Sequence, residues 1–268
     1  MTPRDQTMKR SKSKGFSLIE LMIALVAGLI VSYAVVAFTM SSLKNNGEYV
    51  QSTRLTQALR DTMDFTTREL RRAGYDENSM AYLGAGASSP FPPMLVTNPN
   101  TTSSCVIYAY DRPNGDSGQI DYENGEVRGL RRVTQTVNGR TVGIIEYAIS
   151  VASVRPSCAF DSSAHYASNP STCTDTSEWC ALTDPTTLNI TEFRLLDNWT
   201  LVGGADPLRV QVRDIGVTIK ARRAGDSGTS YLNGVDSSFQ RGMTTSIKVR
   251  SECQMASIAN CNALPTGS

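Results

Sequence analysis

The chain has 268 residues, with 26 basic and 25 acidic side chains and one histidine, for a formal charge of +1. A near-neutral balance excludes a polybasic nucleic-acid coat or an acidic solvating tail as the main theme, and no direct nucleic-acid binding is expected. Apolar residues make up 40% and charged residues 19%, which excludes a fully disordered chain and leaves length for one or two domains.

The charge is unevenly placed. Residues 1–15 hold Arg4, Lys9, Arg10, Lys12 and Lys14 against Asp5 alone, so the remainder is net negative. An apolar run follows, without a formal charge from Leu21 to Leu43. As a helix, Leu21 to Met40 spans roughly 30 Å, one hydrocarbon core. Basic residues before such a run stay on the cytoplasmic side, so the N-terminus faces the cytoplasm and the rest faces outward. An ordinary secretory signal would have a shorter apolar stretch, here with cleavage after Val35-Val36-Ala37. A plain signal anchor accounts for the length but not for Glu20. A carboxylate in an apolar helix costs a few kcal/mol unless paired or near the interface. Glu20 sits in the first turn of a helix beginning at Phe16, where the positive end of the helix dipole favours an anion. An amine on Phe16, freed by a cut between Gly15 and Phe16, would be a better partner still.

The segment Lys14-Gly15-Phe16-Ser17-Leu18-Ile19-Glu20-Leu21-Met22 closely resembles the class III signal of type IV prepilins and type II secretion pseudopilins. The resemblance runs over residues 10–40. It implies a leader of residues 1–15, removed by a membrane prepilin peptidase that cuts between Gly15 and Phe16 and then methylates Phe16. It also implies that Glu20 sets subunit register.

Beyond Lys44 the helix continues in amphipathic form, with Leu55, Leu59, Met63, Thr66, Leu70 and Ala73 at steps of three or four. Arg60 and Asp64, then Asp64 and Arg68, stand at neighbouring helical positions. Arg68, Arg71 and Arg72 suit the C-terminal end of the dipole, and Gly74 is a stop signal. The stripe is too short for a coiled-coil stalk and predicts packing on the chain's own globular part. Glu69-Leu70-Arg71-Arg72-Ala73-Gly74-Tyr75 is similar to the helix end of PilW-type minor pilins. Residues 16–43 are thus read as the transmembrane or filament-core half of a spine helix and residues 44–74 as its amphipathic half.

Residues 76–104 read as a surface loop tethered by occasional apolar contacts, and Gly84 to Ser89 lacks the spacing and preceding strand of a dinucleotide site. Strands are expected at 105–110, at 119–123 and 126–133 as a hairpin about Asn124-Gly125, and at 142–154, 188–196, 208–221 and 244–250. A phase break near Asp214 suggests a bulge. One long helix followed by six or seven strands makes residues 75–268 an α+β head with a mainly antiparallel sheet. Their order is similar to the heads of PilW-like proteins and of pseudopilin J, which implies a type IV pilin-like fold.

Cys105, Cys158, Cys173, Cys180, Cys253 and Cys261 all follow the apolar run and read as disulfides of an oxidising compartment. Proximity in sequence favours 173 with 180 and 253 with 261, leaving 105 with 158; 158 with 173 remains a rival. Without a C-x-x-C, zinc or redox chemistry has little support. His165 lies in a Ser-rich stretch that nothing orders into a triad. Asp111, Asn114, Asp116 and Asp121 miss the calcium-loop spacing. No cofactor, metal or catalytic site is expected.

The resemblance implies a minor pilin that joins other minor pilins and the major pilin in an initiating tip complex. It would be stored in the bacterial inner membrane as a single-pass protein with a periplasmic head, loaded by the inner-membrane assembly platform, and carried to the pilus tip. Adhesion, through a tip adhesin, twitching motility or DNA uptake would follow. Two other readings stand beside it: a J-like type II secretion pseudopilin, and a membrane-anchored adhesin or ligand-binding module using a Cys-rich insert at 158–180.

Overall fold

The computed structural model describes residues 15, 17–78, 90–91, 94–113, 119–137, 139–150, 156–158, 179–203, 209–224, 231–232, 235–236 and 240–254. One helix, α1 (Leu18–Arg72), precedes ten strands: β1 (Leu95–Thr97), β2 (Cys105–Ala109), β3 (Val127–Val137), β4 (Arg140–Ile149), β5 (Trp179–Ala181), β6 (Leu188–Gly203), β7 (Arg209–Arg223), β8 (Tyr231–Leu232), β9 (Val235–Asp236) and β10 (Gln240–Gln254). The chain divides into two compact units, 1–52 and 53–268, and α1 contributes to both.

In the first unit Ser17 opens the helix, its carbonyl accepting from the N–H of Glu20 at 3.0 Å and of Leu21 at 3.1 Å. No proline interrupts α1. Its apolar residues, from Leu18 through Leu29, Val36 and Phe38 to Leu43, are exposed around the whole circumference. A helix apolar on every side needs cover from lipid or from other chains. By length and composition this helix can cross a membrane, with mean hydropathy 2.6 over its most apolar window.

In the second unit the expected stripe is the buried one: Leu55, Leu59, Met63, Thr66, Leu70 and Ala73 are all inside. The helix ends as the sequence foretells. Gly74 takes φ 72°, a left-handed conformation that favours glycine, and donates its N–H to the Ala109 carbonyl at 2.7 Å. The stripe packs on two antiparallel sheets, one ordered β1-β2-β3-β4-β5 and the other β10-β7-β6. Val106, Tyr108, Leu130 and Ile145 from the first sheet meet Phe193, Leu195, Ile215, Val217 and Ile219 from the second in one core. The sheets are stitched where β4 nears β6: Asn189 Oδ1 accepts the Gly143 N–H at 2.9 Å, and Arg132 Nε donates to the Ile190 carbonyl at 2.8 Å. A Cβ on Gly143 would lie 2.0 Å from that carbonyl, so only glycine permits the approach.

The opposite face of the first sheet is also covered. Trp179 of β5 lies over Gly129, paired across the sheet with Ala148, and the small residues make room for the indole. Arg131 stacks over the same ring at 4.1 Å and is bonded to Glu146 at 2.8 Å. The Cys105–Cys158 disulfide pins residues 156–158 against this side. Cys180 is disulfide-bonded as well. Cys173, Cys261 and the side chain of Cys253 lie outside the described residues, as does most of the 158–180 insert with His165.

Four expectations are corrected. Residues 119–123 form no strand, and Asn124-Gly125 closes a turn rather than a hairpin. The buried Glu126 carboxylate draws that loop inward by accepting the Arg112 N–H at 3.1 Å and the Asp121 N–H at 2.6 Å. The hairpin lies further along, where Val137 stands opposite Arg140 and Gly139 takes φ 75°. No bulge lies at Asp214. There β7 alternates strictly, with Arg213 taking a core-facing position beside Ile215, where Asp197 pairs with it at 2.6 Å. The register shifts instead between Ile190 and Glu192 in β6 and between Val249 and Cys253 in β10. Finally, the loop 76–104 contains the short strand β1, with Phe91 and Met94 as buried apolar tethers, while β5 is a strand the sequence reading missed.

Candidate functional site

Two places carry the features of interest, one in each unit. At the start of α1, Gly15, Ser17 and Glu20 are exposed. Glu20 lies in the first helical turn, followed by the charge-free apolar stretch. Phe16 lies outside the described residues. A carboxylate at a helix start is positioned to receive a cation.

At the other end of α1, the residues of the Glu69-to-Tyr75 motif enclose a polar cluster. Glu69 is buried, and its carboxylate accepts from Arg72 Nη1 at 3.3 Å, Arg128 Nη1 at 3.0 Å and the Tyr108 hydroxyl at 3.2 Å. Arg128 also donates to the Tyr147 hydroxyl and, through Nε, to the Gly125 carbonyl at 3.1 Å. Its guanidinium stacks over the Tyr110 ring at 4.9 Å, and Phe65 meets Tyr147 edge-on. Alternation in β2, β3 and β4 explains the convergence: Tyr108 pairs with Arg128, and Tyr147 with Leu130, on the helix-facing side. Burial, then the neighbouring Tyr147 and Glu69, pushes the Tyr108 hydroxyl well above its ordinary value, and burial also raises Tyr147. Both stay neutral at physiological pH, Tyr108 as a donor to Glu69 and Tyr147 as an acceptor from Arg128. The cluster bonds the helix end to three strands; it holds no nucleophile paired with a base.

Sequence reasoning quoted Glu69 within its motif without assigning it a partner. The signal was there: Glu69 falls on the same buried face as Thr62, Thr66 and Ala73, three residues before Arg72. Of the carboxylates weighed for calcium, Asp111 and Asp121 are tied to backbone N–H groups of Glu77, Glu123 and Asn124. Among the described residues no group of acidic, His or Cys side chains is arranged to hold a metal.

Comparison with known families bears on both ends. The prokaryotic N-terminal methylation motif matches residues 10–36, spanning Gly15, Phe16 and Glu20. The model described as prepilin peptidase-dependent protein B matches residues 48–248, three quarters of the chain, including the second half of α1 and both sheets. The chain belongs to the family of prepilin peptidase-dependent protein B. No curated protein and no solved structure matches it. Membership makes it a type IV prepilin-like protein, related to the subunits of a type IV pilus or pseudopilus. The family name and the motif imply processing by a prepilin peptidase, and the apolar helix fits an inner-membrane, single-pass anchor.

Proposed function

We propose that the chain is a minor pilin that helps start a type IV pilus and occupies its tip complex, rather than an enzyme. The observation that carries this reading is the bare apolar helix behind an exposed Gly15 and Glu20, within a methylation motif. The peptidase cuts between Gly15 and Phe16, and the mature protein begins at methylated Phe16 after loss of residues 1–15. In the inner membrane, lipid covers residues 16–43. In the filament, the spines of other minor pilins and of the major pilin replace the lipid. Glu20 then meets the N-terminal amine of a neighbour; in an apolar surround that pairing is worth more than in water and fixes the axial register. The head lies in the periplasm before assembly and outside the cell afterwards.

A deletion strain is the test. Electron-microscopic counts of surface pili should fall sharply while the major subunit is still made, because an initiator is needed in few copies. Unchanged counts with a loss of protein secretion would assign the chain to a pseudopilus. Glu20→Gln should leave membrane insertion and cleavage intact and lower incorporation into filaments. Full complementation by this variant would remove the register role, and intact mass of the membrane-extracted protein reads the cut: a start near Phe38 would reject prepilin processing.

A further inference from the structure

In the second unit a cleft of about 480 Å³ opens where α1 ends, lined by Arg72, Tyr75, Tyr110, Asp111, Arg112, Pro113 and Arg128. Two of its polar side chains keep hydrogen-bonding capacity that the fold does not use. Arg112 gives Nη1 to the Asn124 carbonyl at 2.6 Å and is in no ion pair among the described residues. Asp111 is only 4% exposed; its Oδ2 accepts the Glu77 N–H at 3.1 Å, while its buried Oδ1 has no partner. These neighbours in sequence form no ion pair with each other, so one wall offers the remaining donors of a guanidinium and an unmatched acceptor. A buried acceptor without a partner is costly, which marks it as a place for a donor from outside. Between them stand aromatic surfaces, Tyr110 stacked under the committed Arg128 and Tyr75 exposed at the rim. Arg72, half exposed, adds a second guanidinium at the mouth.

We propose that this cleft binds the carboxy-terminal residue of a polypeptide. The chemistry is that of an N-acyl α-amino acid: its carboxylate pairs with the Arg112 guanidinium, assisted by Arg72, in the planar fork that suits carboxylates. Its amide N–H donates to Asp111 Oδ1. A large apolar side chain lies against Tyr75, Tyr110 and Pro113. A simple anion uses only the first of these features and is repelled by Asp111. The occupant therefore carries an amide donor and an acid on the same residue, as a chain end does.

The test uses the full chain in detergent micelles and calorimetric titration with N-acetyl-Ala-Ala-Leu bearing a free carboxylate. Saturable binding is expected, with a carboxy-terminal amide at least about tenfold weaker, the loss of a charged hydrogen bond. Methylating the last peptide nitrogen should weaken binding to a similar degree by removing the donor to Asp111. Arg112→Gln should cost about tenfold, and so should Tyr75→Ala, which removes an exposed ring with no part in the core. If Arg112→Gln unfolds, the peptide variants and Tyr75→Ala still decide. Equal affinity for acid and amide, acetate or phosphate binding as tightly as the peptide, or no saturation by about 1 mM would overturn the proposal. N-acetyl-leucine carries the same three features and should bind within a few-fold of the tripeptide; failure to bind would overturn the assignment of these contacts to the terminal residue.

Discussion

Removing the charge of Glu69 should test whether the helix end is held by its buried ionic cluster. The Glu69 side chain is 4% exposed and that of Arg128 10% exposed, so neither recovers water when the other is lost. Breaking one partner of a buried pair costs about 3–5 kcal/mol, because the remaining charge stays buried without compensation. Glu69→Met also strips the Tyr108 hydroxyl of its acceptor. For a domain of this size 1 kcal/mol moves the midpoint by roughly 2–4 °C, so Tm should fall by roughly 6–20 °C. Arg128→Met should cost a similar amount. The double variant replaces the pair by apolar side chains and should recover part of the loss, giving a coupling of about 2 kcal/mol or more. Arg72→Ala, at a side chain 51% exposed, should cost under about 1 kcal/mol. Thermal unfolding of the full chain in detergent, followed by near-ultraviolet circular dichroism, measures all four. Single variants that add to the double within about 0.5 kcal/mol would show that Glu69 and Arg128 do not act as a pair.

Three further outcomes follow from the same packing. Gly143→Ala drives a methyl into the Ile190 carbonyl and Arg132 and should cost about 3 kcal/mol or block folding, read by the same melt; a wild-type Tm would mean the sheets can part there. Replacing both Cys105 and Cys158 by Ala opens a 53-residue loop and should cost up to about 4 kcal/mol in the chain-entropy model without altering any redox activity, as denaturant midpoints would report. Tyr108 and Tyr147 have raised folded values against an unfolded value of 10.0, so their contribution is intact below pH 10 and is lost as pH rises beyond it. Stability should be flat between about pH 7 and 9.5 and decline above about 10; phenolate absorbance showing every tyrosine ionising at pH 10 in the folded protein would contradict this.

The sequence was most legible where one physical rule acts alone. Helical periodicity placed all six stripe residues of α1 on the buried face, and Gly74 stopped the helix, because both signals are local in the sequence. It misled where two rules competed. Asn124-Gly125 has hairpin composition, but Glu126, two residues after Asn124, turns its carboxylate inward and ties the loop to itself. At β7 the apolar residues change phase because Arg213 occupies a core position that only Asp197 and the Met94 carbonyl make tolerable. Charged residues inside a sheet are invisible to apolar alternation, and so the cluster at Glu69, Arg128 and Tyr147 was missed. Among the cysteines, pairing of 105 with 158 came from elimination; the structure adds the reason, since β2 buries Cys105 beside Trp179 where residues 156–158 pass.

The two parts of α1 answer to different constraints, and this determines what a substitution in each should affect. From Leu55 to Ala73 the helix is covered by its own sheets, so a change there is paid in folding. From Leu18 to Leu43 the apolar side chains are exposed, and nothing among the described residues covers them. Burying such surface is worth about 25 cal/mol per Å², so the cover must come from lipid or from other helices. Exchange of one apolar cover for another changes little in hydrophobic energy, since lipid chains and neighbouring spines are equally apolar. Subunits could therefore leave the membrane for a filament at small apolar cost, and the choice of where to stop would fall to polar groups. Within this stretch Glu20 is the one formal charge before Lys44. On the reading proposed above, this carboxylate would be the charged feature by which one register along the apolar surface differs from the next.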